Sequence, residues 1–240
     1  MRRPLAIVGV LFVSLLLFPR AAHAAPPSPE LLAKLADYAT HFERQRTHAS
    51  YAVEGRLDAL DSDGKPEETK ELWGRVDADG QEARLVVLRF VDDGKDKTAD
   101  AIKEARESAE KSKKKKKEGK ELKMPIRAEE QSRYVFDLVE TDAQDPARVR
   151  ITFVPKEIAD DTVEGSAWVN ANSGAPISAG FKLSRTPFFV DYIHFQVEFG
   201  VKTSLGPAVS KVTVDGKGGI PLFRKHFRAI ASLSDYTILP

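Results

Sequence analysis

The chain has 240 residues, 42% of them hydrophobic, with 37 basic and 36 acidic side chains and a formal charge of +1. That balance excludes a broad electrostatic pull toward nucleic acid or an anionic surface. The absence of cysteine excludes disulfide support and leaves stability to an ordinary buried core.

Residues 1–24 read as a cleaved secretion signal. Arg2 and Arg3 supply the charged start, residues 6–18 an apolar run, and Ala22-His23-Ala24 a small-x-small cleavage site. The run is well short of the roughly 20 residues that span a bilayer as a helix. With no cysteine after the site, a lipid-anchored form is excluded. The expectation is a single exported, periplasmic domain over residues 25–240 with no stable transmembrane segment.

The first predicted element is a helix capped by Ser28, with Pro29 at its first position. Leu31, Leu32, Leu35, Tyr38, Ala39 and Phe42 recur at helical spacing, an apolar stripe that must dock on another surface. Three strands follow over residues 49–59, 69–78 and 82–92. In the first, Ala49, Tyr51, Val53, Gly55, Leu57 and Ala59 alternate with positions that include Ser50, Glu54, Arg56 and Asp58, the period of a half-buried strand. Asp61-Ser62-Asp63-Gly64 and Asp79-Gly80 carry hairpin-turn chemistry. Residues 85–91 are nearly continuous in apolar side chains, so the third strand is expected to be covered on both faces.

The alternation then breaks. Residues 97–110 read as a helix whose apolar stripe is thin: Ala101, Ile102, Ala105 and Ala109. This helix belongs to a lysine-rich insertion at about residues 96–124 that includes Lys113, Lys114, Lys115, Lys116 and Lys117. Such a block is ordinarily a solvated segment, and the alternative is a docking arm for acidic headgroups or an acidic partner. Pro125 closes the insertion.

Strands resume at 132–140, 148–154, 162–171, 177–184, 190–201 and 209–215, with one or two more within 222–236. Asp145-Pro146, Asn172-Ser173-Gly174, Thr186-Pro187, Gly206-Pro207 and residues 216–219 punctuate them. Residues 190–201 alternate most cleanly, with Ile193, Phe195, Val197, Phe199 and Val201 on one side and Tyr192, His194, Gln196 and Glu198 on the other. Ten or eleven strands with two helices indicate a mainly β (α+β) chain. The architecture is an antiparallel sandwich, a barrel or a strongly curved sheet, with helices wrapped by it or capping it.

Residues Val163-Glu164-Gly165-Ser166-Ala167-Trp168-Val169-Asn170, the Gly174-Ala175-Pro176 turn and the closing Ser234-Asp235-Tyr236 resemble the LolA/LolB-like family of periplasmic lipoprotein-sorting and lipid-binding proteins. The early helix followed by a three-strand meander agrees. The resemblance implies an incomplete, strongly bent barrel whose apolar concave face is lidded by helices. The lysine-rich insertion departs from that family core.

Nothing in the sequence assembles a catalytic group. His41, His48, His194 and His226 fall in no nucleophile-elbow or metal-ligand spacing, and Asp215-Gly216-Lys217-Gly218-Gly219 is hairpin material rather than a phosphate loop. A non-enzyme without cofactor or metal is expected. Trp73, Trp168, Phe181, Leu183, Phe195, Val197 and Phe199 are the cavity candidates, with plain core packing as the competing role. Both tryptophans alternate with charged neighbours, so packing beneath a helix or loop competes there. Phe188 and Phe189, after Pro187, are candidates for a rim or lid. The expected function is a carrier holding lipid or lipoprotein acyl chains. The alternative is an envelope assembly or protein-interaction module, with an envelope membrane protein as a possible partner and no nucleic acid.

Overall fold

The computed structural model describes residues 25–78, 80, 83–114, 122–220 and 223–239. The segment expected to be a secretion signal, residues 1–24, and Lys115, Lys116 and Lys117 lie outside the described residues. The elements run α1 (Pro29–His48), β1 (Ala49–Leu60), β2 (Pro66–Ala78), β3 (Ala83–Asp92), β4 (Lys95–Asp96), α2 (Thr98–Lys114), α3 (Ala128–Gln131), β5 (Tyr134–Thr141), β6 (Arg148–Pro155), β7 (Val163–Asn170), β8 (Pro176–Leu183), β9 (Val190–Thr203), β10 (Gly206–Ile220) and β11 (Phe223–Ile238).

All eleven strands join one open sheet in the order β4-β3-β2-β1-β11-β10-β9-β8-β7-β6-β5. Every pairing is antiparallel, and the first strand meets the last in the middle of the sheet, Ala59 opposite Phe227. The edges are β4 and β5, so the chain between them, residues 97–133, which includes the lysine-rich segment, passes from one edge of the open sheet to the other. The expected curved, incomplete barrel is this unclosed sheet.

Helix α1 starts as its sequence dictates: the Leu31 amide donates to Ser28 Oγ at 3.2 Å, and Pro29 occupies the first turn. Its stripe buries Leu31 and Leu35 against Tyr134, Phe136, Val149, Ile151, Phe153, Val163, Ala167 and Val169. Leu35, Ile151 and Val169 are the largest fully buried apolar side chains. Each removes a whole aliphatic group from water, which contributes about 1.5–3 kcal/mol. The strand residues of this core lie on β5, β6 and β7, and Ala179, Phe181 and Leu183 of β8 pack against it half-buried. Gly174, at φ +71°, lets the turn after β7 lie against the α1 backbone at Lys34, where any side chain would collide.

Three features differ from the sequence expectation. Strand β3 is not covered on both faces: Leu85, Val86 and Leu88 are exposed, Leu88 by 64%. Its place next to the short edge strand β4 accounts for this, since among the described residues its main neighbours are β2, β4 and α2. Residues 216–219 do not end their strand, because β10 continues through them to Ile220. Gly216 sits under the Phe227 ring, where a Cβ would fall within 2.7 Å of two ring carbons. A short helix, α3, also follows the insertion, its Glu130 buried.

Candidate functional site

Strand register sorts side chains onto two faces. On the face that carries α1, one row of cross-strand partners runs Phe136, Phe153, Gly165, Phe181, Phe195, Val214, Ala229 and Leu57 from β5 to β1. The next runs Ile151, Ala167, Ala179, Val197, Val212, Ala231, Gly55, Leu72 and Phe90 to β3. The inner face is therefore apolar along most of the sheet, but its cover is not uniform. From β5 to β7 the α1 core seals it, and on β8 Ala179 and Phe181 are half-buried against that core, whereas from β9 to β2 Phe195, Val197, Val212, Val214, Ala229 and Leu72 are half-buried and Leu57 is exposed.

Phe181 and Phe195 mark the boundary. Their rings stack with centroids 5.0 Å apart and planes 13° from parallel. Gly165 makes the space, because a side chain there would strike the Gly180 carbonyl and Phe181. Leu183 and Phe181 pack against the sealed core, while Phe195 and Val197 belong to the open face.

At the far end of β9 the second half of α1 forms a lid. Phe199 meets Tyr38 and Phe42 edge-on, at 6.3 and 6.2 Å. The Tyr38 hydroxyl donates to the Pro207 carbonyl at 2.5 Å, and burial raises its pKa. Buried Gln45 donates through Nε2 to Thr203 Oγ1 at 3.1 Å and to the Gly206 carbonyl at 3.2 Å. An open pocket of about 570 Å³ lies beside this part of α1, lined by Tyr38, His41, Pro176, Ile177, Phe199 and Leu205 among others.

The opposite face is polar. Trp73 and Trp168 lie there, in a single row: Arg150, Trp168, Ser178, Glu198, Lys211, Ser232, Glu54, Trp73 and Arg89. The period of two that puts phenylalanines inside puts these indoles outside, so they do not share a surface with Phe195. Arg89 covers Trp73 at 4.7 Å, and Arg148 and Arg150 cover Trp168 at 5.0 and 5.8 Å. A second outer row mixes acidic and basic side chains, Glu164, Lys182, His194, Asp215, Arg228 and Asp58. Burial would raise the Asp215 carboxyl, but hydrogen bonds from Arg228, His226 and Tyr192 outweigh it and hold the pKa below the usual range. His194 and His226 thus sit in a hydrogen-bonded outer surface, and among the described residues no three His, Asp or Glu side chains converge as a metal-binding group.

Phe188 and Phe189 stand away from both faces, in the β8–β9 connection, 98% and 59% exposed. Lys113 and Lys114 end α2. The alternation in residues 209–215 carries the signal for Val212 and Val214, and that in 49–59 the signal for Leu57. Their pairing into one surface with Phe195 required the strand order.

No family model matches the chain, and no curated protein matches it. Among solved structures it is similar to a DUF1329 family protein from Desulfovibrio piger, at 9% identity and TM-score 0.35, covering 88% of this chain and 94% of that one. It is also similar to a LolA superfamily protein from Nitrosomonas europaea, at 11% identity and TM-score 0.35, over 90% of this chain and 95% of that one. A third is the Pseudomonas aeruginosa MucA/MucB complex, at 13% identity and TM-score 0.24, over 86% and 99%. The open antiparallel sheet with a helix across its inner face, which the resemblance in sequence implies, is visible in this chain's own topology.

Proposed function

We propose that the chain is a non-catalytic periplasmic carrier that takes acyl chains of a lipid or lipoprotein onto the inner face between β9 and β2. The observation that carries this reading is the unbroken apolar row from Phe195 through Val214 and Ala229 to Leu57, left half-covered beside a core that is sealed. An acyl chain laid across it gains about 0.8 kcal/mol for each methylene removed from water. Phe199 and the α1 lid bound the site at one end, and a shift of α1 would gate loading. Protein purified from its native envelope and extracted with organic solvent should release phospholipid or acylated peptide detectable by mass spectrometry. Clean protein that also fails to bind a fluorescent fatty acid contradicts the reading.

A second reading, an envelope assembly module, is favoured by Leu85, Val86 and Leu88, exposed near the sheet edge where a partner strand or helix could dock. Deleting residues 111–117 separates the two. A carrier with a solvated insertion keeps its function, whereas a module docking through that arm loses it.

A further inference from the structure

The β8–β9 connection holds Phe188 and Phe189 in water although both are large and apolar. Their exposure is imposed by the backbone. The Val190 amide donates to the Pro187 carbonyl at 2.9 Å, and the Gly219 amide donates to the Phe189 carbonyl at 2.7 Å, fastening the loop to β10. Gly218 is required beside it, since a Cβ there would press on the Phe189 carbonyl. The loop after β6 is tied in as well: Arg185 donates to the Ile158 carbonyl at 3.2 Å and to Asp160 at 3.1 Å. Ile158 is 60% exposed, so two linked loops display three apolar side chains at one end of the sheet.

That end is opposite the α1 lid. Strand β9 runs from the aromatic loop at Val190 to the lid residues at Thr203, and its half-covered residues Ile193 and Phe195 lie toward the aromatic end. At this end of the sheet charges of both signs occur together: Arg185 with Asp160 and Lys156 beside Glu157 on the two loops, Lys182 with half-buried Glu164 on the adjoining strands, and Lys225 with Glu68 farther along. A projecting aromatic tip in a belt of mixed charge complements a zwitterionic headgroup layer, which is soft enough to admit rings and presents both charges. We propose that Phe188 and Phe189, with Ile158, form a docking tip that inserts into the headgroup region of a phospholipid bilayer and brings the open end of the inner face to the membrane. The docking stands on the loops themselves, while its role in loading rests on the carrier reading.

The test is flotation of the purified protein with phosphatidylethanolamine–phosphatidylglycerol vesicles and, separately, with phosphatidylcholine vesicles. The protein is expected to float with both, in low and high salt, and the F188S/F189S variant to lose about tenfold or more in binding. Its melting temperature should not fall, since neither ring enters the core. The chain has no cysteine of its own, so Thr186→Cys carries an environment-sensitive dye at one position, and its emission should shift to the blue when vesicles are added. Unchanged flotation of the double variant, a dye that stays in water, or a dye shielded only by self-association or by a soluble protein overturns the proposal. The Phe195→Glu variant keeps the two readings apart: it should lose fatty-acid binding and still float.

Discussion

The β5–β8 half and the β9–β2 half share one sheet and one apolar face, yet only the first has closed over it. In the sealed half, α1 supplies Leu31 and Leu35, and the sheet residues beneath them are almost wholly buried. In the open half, equally apolar rows stay half-covered, because α1 reaches only Phe199 and the strand ends. The contrast separates apolar area that serves stability from apolar area held available. Substitutions should therefore act on different observables in the two halves.

The largest expected effect is in the sealed half. Leu35→Ala or Ile151→Ala leaves a cavity among fully buried neighbours and should cost about 2–5 kcal/mol in denaturant unfolding. Fatty-acid affinity of the protein that remains folded should change little. Phe195→Glu reverses the pattern. The introduced carboxylate reaches water at the half-open face, so unfolding should shift by less than in the Leu35 variant, while affinity for a fluorescent fatty acid falls about tenfold or more. A Phe195→Glu variant destabilised as severely as Leu35→Ala would mean that the open half is ordinary core.

Acid should loosen both halves, because each holds carboxylates kept ionised by hydrogen-bonded partners, Asp58 and Asp215 in the open half and Glu130 and Asp161 beside the sealed one. Burial opposes ionisation of Glu130, but hydrogen bonds from Arg133 and Lys123 outweigh it and lower its pKa, and Arg133 lowers Asp161 likewise. A carboxyl with a depressed folded-state pKa contributes stability above its unfolded value, and that contribution is lost as pH falls through the folded one. The melting temperature should therefore be flat above about pH 5 and fall progressively below about pH 4. The Arg133→Gln variant should start lower at pH 7 and show a shallower decline. Glu130 links Lys123 to Arg133, which also holds Asp161 of the loop after β6, so part of the loss should appear there by hydrogen exchange and should be missing in the Arg133→Gln variant.

The smallest effect is expected outside. Trp168→Ala removes a ring stacked by two guanidinium groups and should cost about 1–2 kcal/mol of stability. It should leave fatty-acid affinity unchanged, because Trp168 faces away from Phe195. A loss of affinity in this variant would move the site to the outer face.

Much of this division was legible in residue order, and the remainder has physical reasons. Alternation at 190–201 assigns Phe195 and Val197 to one side of a strand whatever the partners are. It does not say that Leu57, encoded far earlier, lies across β11 and β10 from Phe195, since that needs the long-range pairing of β1 with β11. Apolar continuity in β3 suggested burial on both faces, but a strand beside the sheet edge receives cover on neither side by pattern alone. The tryptophans carried the charged neighbours of an outer face in their own sequence, and the arginines that cover them come from adjacent strands. The glycines at 216–219 looked like a turn because glycine permits turns. In the folded chain Gly216 instead makes room for an aromatic ring from the next strand.

If the chain carries lipid as proposed, the acyl chain lies on the open inner face and not in the sealed core or on the outer face. Since the chain lacks cysteine, Leu57→Cys on the open inner face and Val154→Cys on the outer face can each be labelled alone, and both parent side chains are exposed. The rate of thiol modification should fall about tenfold at position 57 when a long-chain fatty acid is added and stay constant at position 154. Equal protection at both positions, or none at position 57 while the fatty acid is bound, would contradict the claim.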